Sequence, residues 1–418
     1  MEKLINAIIG KEEPSDRKNF FWNMFGSAVF SFINMFLTIC VIRIVGEKEG
    51  GIFSIAVTLS QMFLYIAYFE QRTYQVTDFN NKYSFSEYHG SKIYMCVIML
   101  VISFAYVLAK GYSPYKMGII LLMCVYRVID GYADLYEGQF QLLGRIYLSG
   151  KSMAFRSCIS TSVLLAVLAV TRDLRYAVLS AIAAAIAGVV IFDMFVAKVF
   201  GDIFPNFRWK RIKKIFYECF PLFIGAFLWV YILSASRIAV DNGMSSEYVT
   251  YYQTLFMPVS IINLFSTFFF RPALTGLSKL YNENEIAGLV NEIIKLLILI
   301  GGFTVICMLG AFFAGIPVLS MISGCDLSSY RNVLVFLMFS GGINSASFFM
   351  YYILTIMRKS RNILVGYVSA AIISILISDS LVSEYGLLGA SWSFFVAVFS
   401  LLIIFTGSFF VIVFKKLK

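Results

Sequence analysis

FFWNMFGSAVFSFINMFLTICVI (residues 20–42) runs for 23 residues without a charged side chain. A helix that crosses the hydrocarbon of a bilayer needs about 20 mostly apolar residues, and this stretch supplies them in one piece. Outward from it, similar runs recur to the end of the chain: 52–69, 91–109, 115–138, 152–171, 176–199, 216–240, 248–270, 290–314, 331–357, 363–382 and 387–414. The count predicts twelve transmembrane helices. The connections between them are short and leave no room for a soluble domain. Backbone at membrane depth must satisfy its own hydrogen bonds, so the fold class is an all-α integral membrane bundle.

Composition agrees. Of 418 residues 60% are hydrophobic, 17% aromatic and only 14% charged, against roughly 25% charged in soluble domains. A net charge of +10 raises a nucleic-acid reading, but the basic residues lie between apolar segments, where charge sets topology. No nucleic-acid partner is expected. With the N-terminus inside, the inner segments hold 22 Lys and Arg, while the outer ones hold 7: Arg43, Lys48, Lys110, Lys116, Arg172, Arg175 and Arg331. That asymmetry predicts both termini in the cytoplasm. The N-terminal MEKLINAIIGKEEPSDRKN lacks the apolar core of a cleavable signal, so the first helix is expected to act as an uncleaved insertion signal.

The seven cysteines are scattered without paired spacing, which supports neither a zinc site nor a disulfide framework, and no cofactor is implied. The single histidine, His89, reads as part of a polar loop, which argues against histidine-dependent catalysis in the membrane.

The densest basic stretch, Phe207 to Lys214 (FRWKRIKK), divides the chain into an N-terminal six-helix part (1–200), a basic cytoplasmic linker (201–215) and a C-terminal six-helix part (216–418). Its cations suit anionic headgroups. Arg43 and Arg237 each stand near the outer end of a part's first predicted helix and precede a short re-entry, which fits a parallel repeat.

Ionisable groups inside a span cost roughly 2.5–3.5 kcal/mol each on insertion scales and so face a cavity or a partner. The predicted helix 115–138 and its continuation carry Arg127, Asp130, Asp134, Glu137 and Gln141. At helical spacing these fall within an arc of about 80°. Arg127 and Asp130 are placed to pair at i,i+3, and the stripe reads either as a structural ion pair or as the lining of a water-filled cavity. Arg72, Arg156 and Arg271 are single basic groups, each able simply to snorkel; taken with Arg43, Arg127 and Arg237 they would offer cations at several depths of one cavity, matching phosphate oxygens in bidentate fashion. Asp193 and Asp379 are isolated acids and, with Asp130 and Asp134, candidates for ion coupling. Gly341-Gly342-Ile343-Asn344-Ser345 reads as a kink or unwound segment.

Several stretches together resemble polysaccharide flippases of the superfamily that also holds multidrug and toxin extruders and lipid II flippases. They are Arg43-Ile-Val-Gly-Glu-Lys-Glu-Gly-Gly-Ile-Phe-Ser-Ile-Ala56, Tyr136-Glu-Gly-Gln-Phe-Gln-Leu-Leu-Gly-Arg145, Ile316-Pro-Val-Leu-Ser-Met-Ile-Ser-Gly324 with Tyr330 (similar to an outer loop), Arg237 late in its helix, and Pro272-Ala-Leu-Thr-Gly-Leu-Ser278. The resemblance implies two six-helix lobes forming a V around a central cationic cavity, in a bacterial inner membrane. It implies transport of an undecaprenyl-diphosphate-linked oligosaccharide from inner to outer leaflet by alternating access, for an O-antigen, capsule or teichoic-type pathway. Arg43, Arg72, Arg127, Arg237 and Arg271 would then bind the substrate, and membrane lipids and a polysaccharide polymerase would be its partners. The alternatives are a multidrug exporter of the same fold, whose cavity would be acidic, and a membrane enzyme such as a polysaccharide polymerase, a glycosyltransferase or an acyltransferase. The outer loops are short for a polymerase or a lipid-dependent transferase.

Overall fold

The computed structural model describes Ile5 and residues 8–10, 15–78, 82–270 and 273–417, without the side chains of 267–269 and 415–417. The described residues form helices and turns, with no strand among them. The chain divides into two compact units, Met1–Phe227 and Leu228–Lys418, and the boundary falls inside one long helix.

In the first unit the helices are α1 (Asp16–Val45), α2 (Glu47–Tyr68), the short α3 (Gln71–Val76), α4 (Phe85–Lys110), α5 (Pro114–Leu142), α6 (Ile146–Thr171) and α7 (Leu174–Val189). A π turn, Val190–Met194, joins α7 to α8 (Phe195–Lys198), and α9 (Trp209–Gly243) spans the boundary. The starts and stops follow local chemistry. Ser15 accepts from the Lys18 amide ahead of α1, and α4 opens with a reciprocal box in which Ser84 and Glu87 each satisfy the other's backbone. Ser113 caps α5, whose first residue is Pro114, where the missing amide hydrogen costs nothing. Gly46 (φ 86°) and Gly111 (φ 63°) close α1 and α4 in backbone conformations that disfavour a side chain.

Without a hydrophobic force between lipid-bathed helices, packing rests on close backbone approach at small residues. Gly26 of α1 and Gly150 of α6 meet in this way. A β-carbon on Gly150 would stand 2.0 Å from the Trp22 carbonyl oxygen, and one on Gly26 would stand 2.2 Å from the Gly150 carbonyl oxygen.

The second unit contains the remainder of α9, then α10 (Ser246–Phe270), α11 (Leu274–Asn282), α12 (Ile286–Gly310), α13 (Ile316–Ser323) after a π turn at Ala311–Gly315, α14 (Arg331–Ile356) and α15 (Ser360–Leu417). The last is broken at Gly386, whose φ of 58° and ψ of −133° are not helical. Its core gathers Phe270, Leu289, Phe349, Leu354, Leu401 and Phe405.

Nine helical stretches among the described residues are long and apolar enough to cross a membrane. The 29-residue α5 is not among them, because Arg127, Asp130, Asp134 and Glu137 interrupt its apolar run.

Three sequence expectations are corrected. Gly341 to Ser345 is helical throughout, inside α14, with Gly342 facing Thr304 of α12. Its small residues serve packing, and the irregular turns lie at 190–194, 311–315 and Gly386 instead. Ile316 to Ser323, expected as an outer loop, is helix α13. His89, expected in a polar loop, is buried in the first turns of α4 behind the Ser84–Glu87 box.

Candidate functional site

The 3- and 4-residue steps of α5 put Arg127, Asp130, Asp134, Glu137 and Gln141 on one face, a stripe about 21 Å long at 1.5 Å per residue. Every charged member is answered by a neighbour. Arg127 donates to Asp130 at 3.1 Å and to Asn34 of α1 at 2.5 Å. Asp130 faces Arg156 of α6 at 3.5 Å. Arg156 also meets Glu137 at 3.2 Å and Asp193 at 2.8 Å. Glu137 accepts from Arg72 at 2.7 Å, Arg72 lies 3.6 Å from Asp134, and Asp134 accepts from Lys92 of α4 at 3.0 Å.

The result is one alternating chain, Arg127–Asp130–Arg156–Glu137–Arg72–Asp134–Lys92, with Asp193 attached at Arg156. Four basic groups (Arg72, Lys92, Arg127, Arg156) stand against four acids (Asp130, Asp134, Glu137, Asp193), so the formal charges cancel. Taking isolated ions out of water costs several kcal/mol apiece, and only close pairing offsets that. Cancellation is therefore what allows α5 to lie inside the unit.

Local backbone features position the partners. The π turn after α7 carries Asp193, which is 0% exposed and also accepts from Ser152 at 2.7 Å. Phe69 and Glu70 adopt left-handed conformations (φ 47° and 52°) that end α2 and start α3. Such residues cost of order 1–3 kcal/mol and persist where the surroundings hold them. Here they precede Arg72, which reaches α5 and also donates to Gln141 at 3.1 Å. Lys92, 0% exposed, is held further by the Ala67 and Tyr68 carbonyls at 3.2 Å each. The network is not saturated: Asp193 Oδ1 and the Nε atoms of Arg127 and Arg156 are buried without a hydrogen bond.

Beside it, His89 Nδ1 is 2.6 Å from the Ile203 carbonyl and Nε2 is 2.7 Å from the Tyr132 hydroxyl. A carbonyl only accepts, so Nδ1 carries the proton, while the Tyr132 hydroxyl can serve Nε2 as donor or acceptor.

Of the residues singled out from sequence, the structure brings Arg72, Arg127, Asp130, Asp134, Glu137, Gln141, Arg156 and Asp193 into this network. Arg43 is exposed in the last turn of α1. Asp379 is exposed in α15 and accepts from Asn242 at 3.0 Å. Arg271 lies outside the described residues. Arg237, in the second unit, is partly buried among neutral groups. It donates to Gln253 at 3.3 Å and to the Leu233 carbonyl at 3.0 Å, its guanidinium lies 4.9 Å from the Phe256 ring centre, and its Nε is buried without a partner. Among the described residues it has no ion-pair partner.

Lys92 and Asn34 complete the network and were not among the sequence candidates for the site. A signal for Lys92 existed, since it is a lone charge inside the apolar run 91–109.

No family model matches the sequence. No curated protein matches it either. Solved structures do. The chain is similar to an inward-facing multidrug resistance MATE family transporter of the MOP superfamily, with TM-score 0.66 and 11% identity over 99% of this chain and 98% of that one. It is similar to the lipid II flippase MurJ in an inward closed conformation, with TM-score 0.68 and 11% identity over 91% and 86%. A third is a MOP superfamily transporter from Pyrococcus furiosus described as having a binding pocket of reverse polarity, with TM-score 0.53 and 12% identity over 100% and 99%. At this identity the shared property is the fold. The chain has the all-helical membrane fold of these transporters and flippases, along its whole length, as the sequence resemblance implies.

Proposed function

We propose that the protein is a flippase that moves an undecaprenyl-diphosphate-linked oligosaccharide repeat unit from the inner to the outer leaflet. On this reading the chain crosses a bacterial inner membrane twelve times, in two six-helix lobes with both termini in the cytoplasm. Alternating access carries the polar headgroup, and the prenyl tail stays in lipid.

The observation that carries the proposal is Arg237. A guanidinium held by an amide, a carbonyl and an aromatic face keeps its positive charge without a counter-ion, and an anionic group completes it. A diphosphate suits the guanidinium's flat, forked donors. A multidrug exporter that takes cations would need an uncommitted acid, yet each carboxylate of the first unit's network is engaged by Arg or Lys. Fold similarity to a lipid II flippase agrees with a lipid-linked substrate and does not select the sugar.

The test replaces Arg237 in the host. Arg237→Gln is expected to lower surface polysaccharide at least about tenfold, the loss of one charge-assisted contact, while protein remains in the membrane. Arg237→Lys is expected to be intermediate. Full activity of Arg237→Gln would remove the basis of the proposal, and full activity of Arg237→Lys would rule out forked recognition.

A further inference from the structure

The segment between α8 and α9 is fastened to the first unit. The Asn206 amide donates to the Ser86 carbonyl at 2.7 Å, and the Ile203 carbonyl accepts from His89 at 2.6 Å. Arg211 pairs with Glu87 at 2.8 Å and lies 5.4 Å from the Tyr83 ring. The ring of Tyr94 on α4 packs edge-on against Phe207 at 5.9 Å and Trp209 at 5.6 Å.

This fastening gives the first turns of α9 two faces. Ile212, Ile215 and Cys219 point inward and are 0% exposed. Lys210, Lys213, Lys214 and Tyr217 fall within an arc of about 100° on the opposite side, and all four are exposed. Arg208 is exposed just before them. Among the described residues Arg208, Lys210, Lys213 and Lys214 have no ion pair. From Phe195 to Tyr217 the sequence has six basic residues (Lys198, Arg208, Lys210, Arg211, Lys213, Lys214) and one acid, Asp202. Large aromatic residues stand out among these cations: Phe204 is 74% exposed, Trp209 56% and Tyr217 71%.

A water-facing segment has no reason to present three largely exposed aromatic rings among its lysines. Rings belong at the level of lipid headgroups, where clustered cations attract anionic lipid. The apolar side chains of α4 beyond Tyr94, such as Val97 (52% exposed) and Val101 (61%), face outward as lipid-facing residues do. We infer that this collar on the first unit binds the headgroups of anionic phospholipids, with Arg208, Lys210, Lys213 and Lys214 on the phosphates and Phe204, Trp209 and Tyr217 at the interface. The inference is independent of the transported substrate.

The test is native mass spectrometry of the full chain in detergent, with dioleoyl phosphatidylglycerol or dioleoyl phosphatidylcholine added at equal concentration. The wild type is expected to retain the anionic lipid about fivefold better or more, with the preference shrinking as ammonium acetate rises. R208Q/K210Q/K213Q/K214Q is expected to retain both lipids equally, while K279Q/K295Q, which removes exposed lysines of the second unit, is expected to keep the wild-type ratio. Equal retention of the two lipids by the wild type, or an undiminished preference in the quadruple variant, would overturn the inference. The wild-type salt series decides the matter without the variant: a preference indifferent to salt would overturn it too.

Discussion

Arg156 is the residue on which the buried network turns, since it touches Asp130, Glu137 and Asp193 at once. Removing one partner of a buried pair costs about 3–5 kcal/mol, because the other charge is left stranded. Arg156→Ala is expected to destabilise by that amount, seen as a lowered unfolding midpoint in detergent. Arg156→Met with Asp193→Leu removes one charge of each sign. Glu137 keeps Arg72 and Asp130 keeps Arg127, so the double variant is expected to unfold at a higher temperature than Arg156→Ala. If the single and double variants unfold alike, charge compensation is not what holds the network. Sequence disclosed part of this. The i,i+3 spacing of Arg127 and Asp130 announced their pair, whereas Arg156 and Asp193 are 37 residues apart, and no local pattern joins them.

At the scale of elements, the apolar runs made the helices legible and the irregular turns illegible. The π turns at 190–194 and 311–315 carry no residue signature, whereas the glycines of 341–342 suggested a break and instead allow α14 to approach α12. His89 was misplaced for a different reason. Its neighbours are polar, yet Ser84-Phe-Ser-Glu87 is the pattern of a helix start and puts the histidine one turn inside. The Gly26–Gly150 crossing gives the element-level prediction. At 2.0 Å a new β-carbon on Gly150 meets backbone rather than a flexible side-chain end, so Gly150→Ala is expected to separate α1 from α6. The expected readout is a loss of about 1–3 kcal/mol in detergent unfolding, with Gly276→Ala, where the added carbon meets nothing within 4 Å, close to wild type. Equal effects of the two substitutions would contradict the crossing.

For the whole molecule, the two units carry different electrostatics. The first holds a network of eight ionisable groups whose charges cancel, and the second holds Arg237 among neutral hydrogen-bond partners. Sequence could count these charges and could not say which were already answered, because the answers come from helices distant in the chain. Arg72 and Arg127, singled out from sequence beside Arg237 as substrate cations, prove to be joined to carboxylates. A phosphate reaching either would have to compete with an acid already in place, whereas one reaching Arg237 would not. The class of fold, a helical membrane bundle shared with transporters and flippases, was readable throughout from the length and spacing of its apolar runs.

The most direct measurement of the central claim is the leaflet that holds completed lipid-linked repeat units in host cells depleted of the protein. Cells converted to spheroplasts would be treated with a membrane-impermeant glycosidase, and the surviving lipid-linked glycan quantified. The flippase account predicts that complete units accumulate protected from the enzyme, that surface glycan falls with them, and that wild type restores both while Arg237→Gln restores neither. Complete units that remain as accessible to the enzyme as in undepleted cells would contradict it.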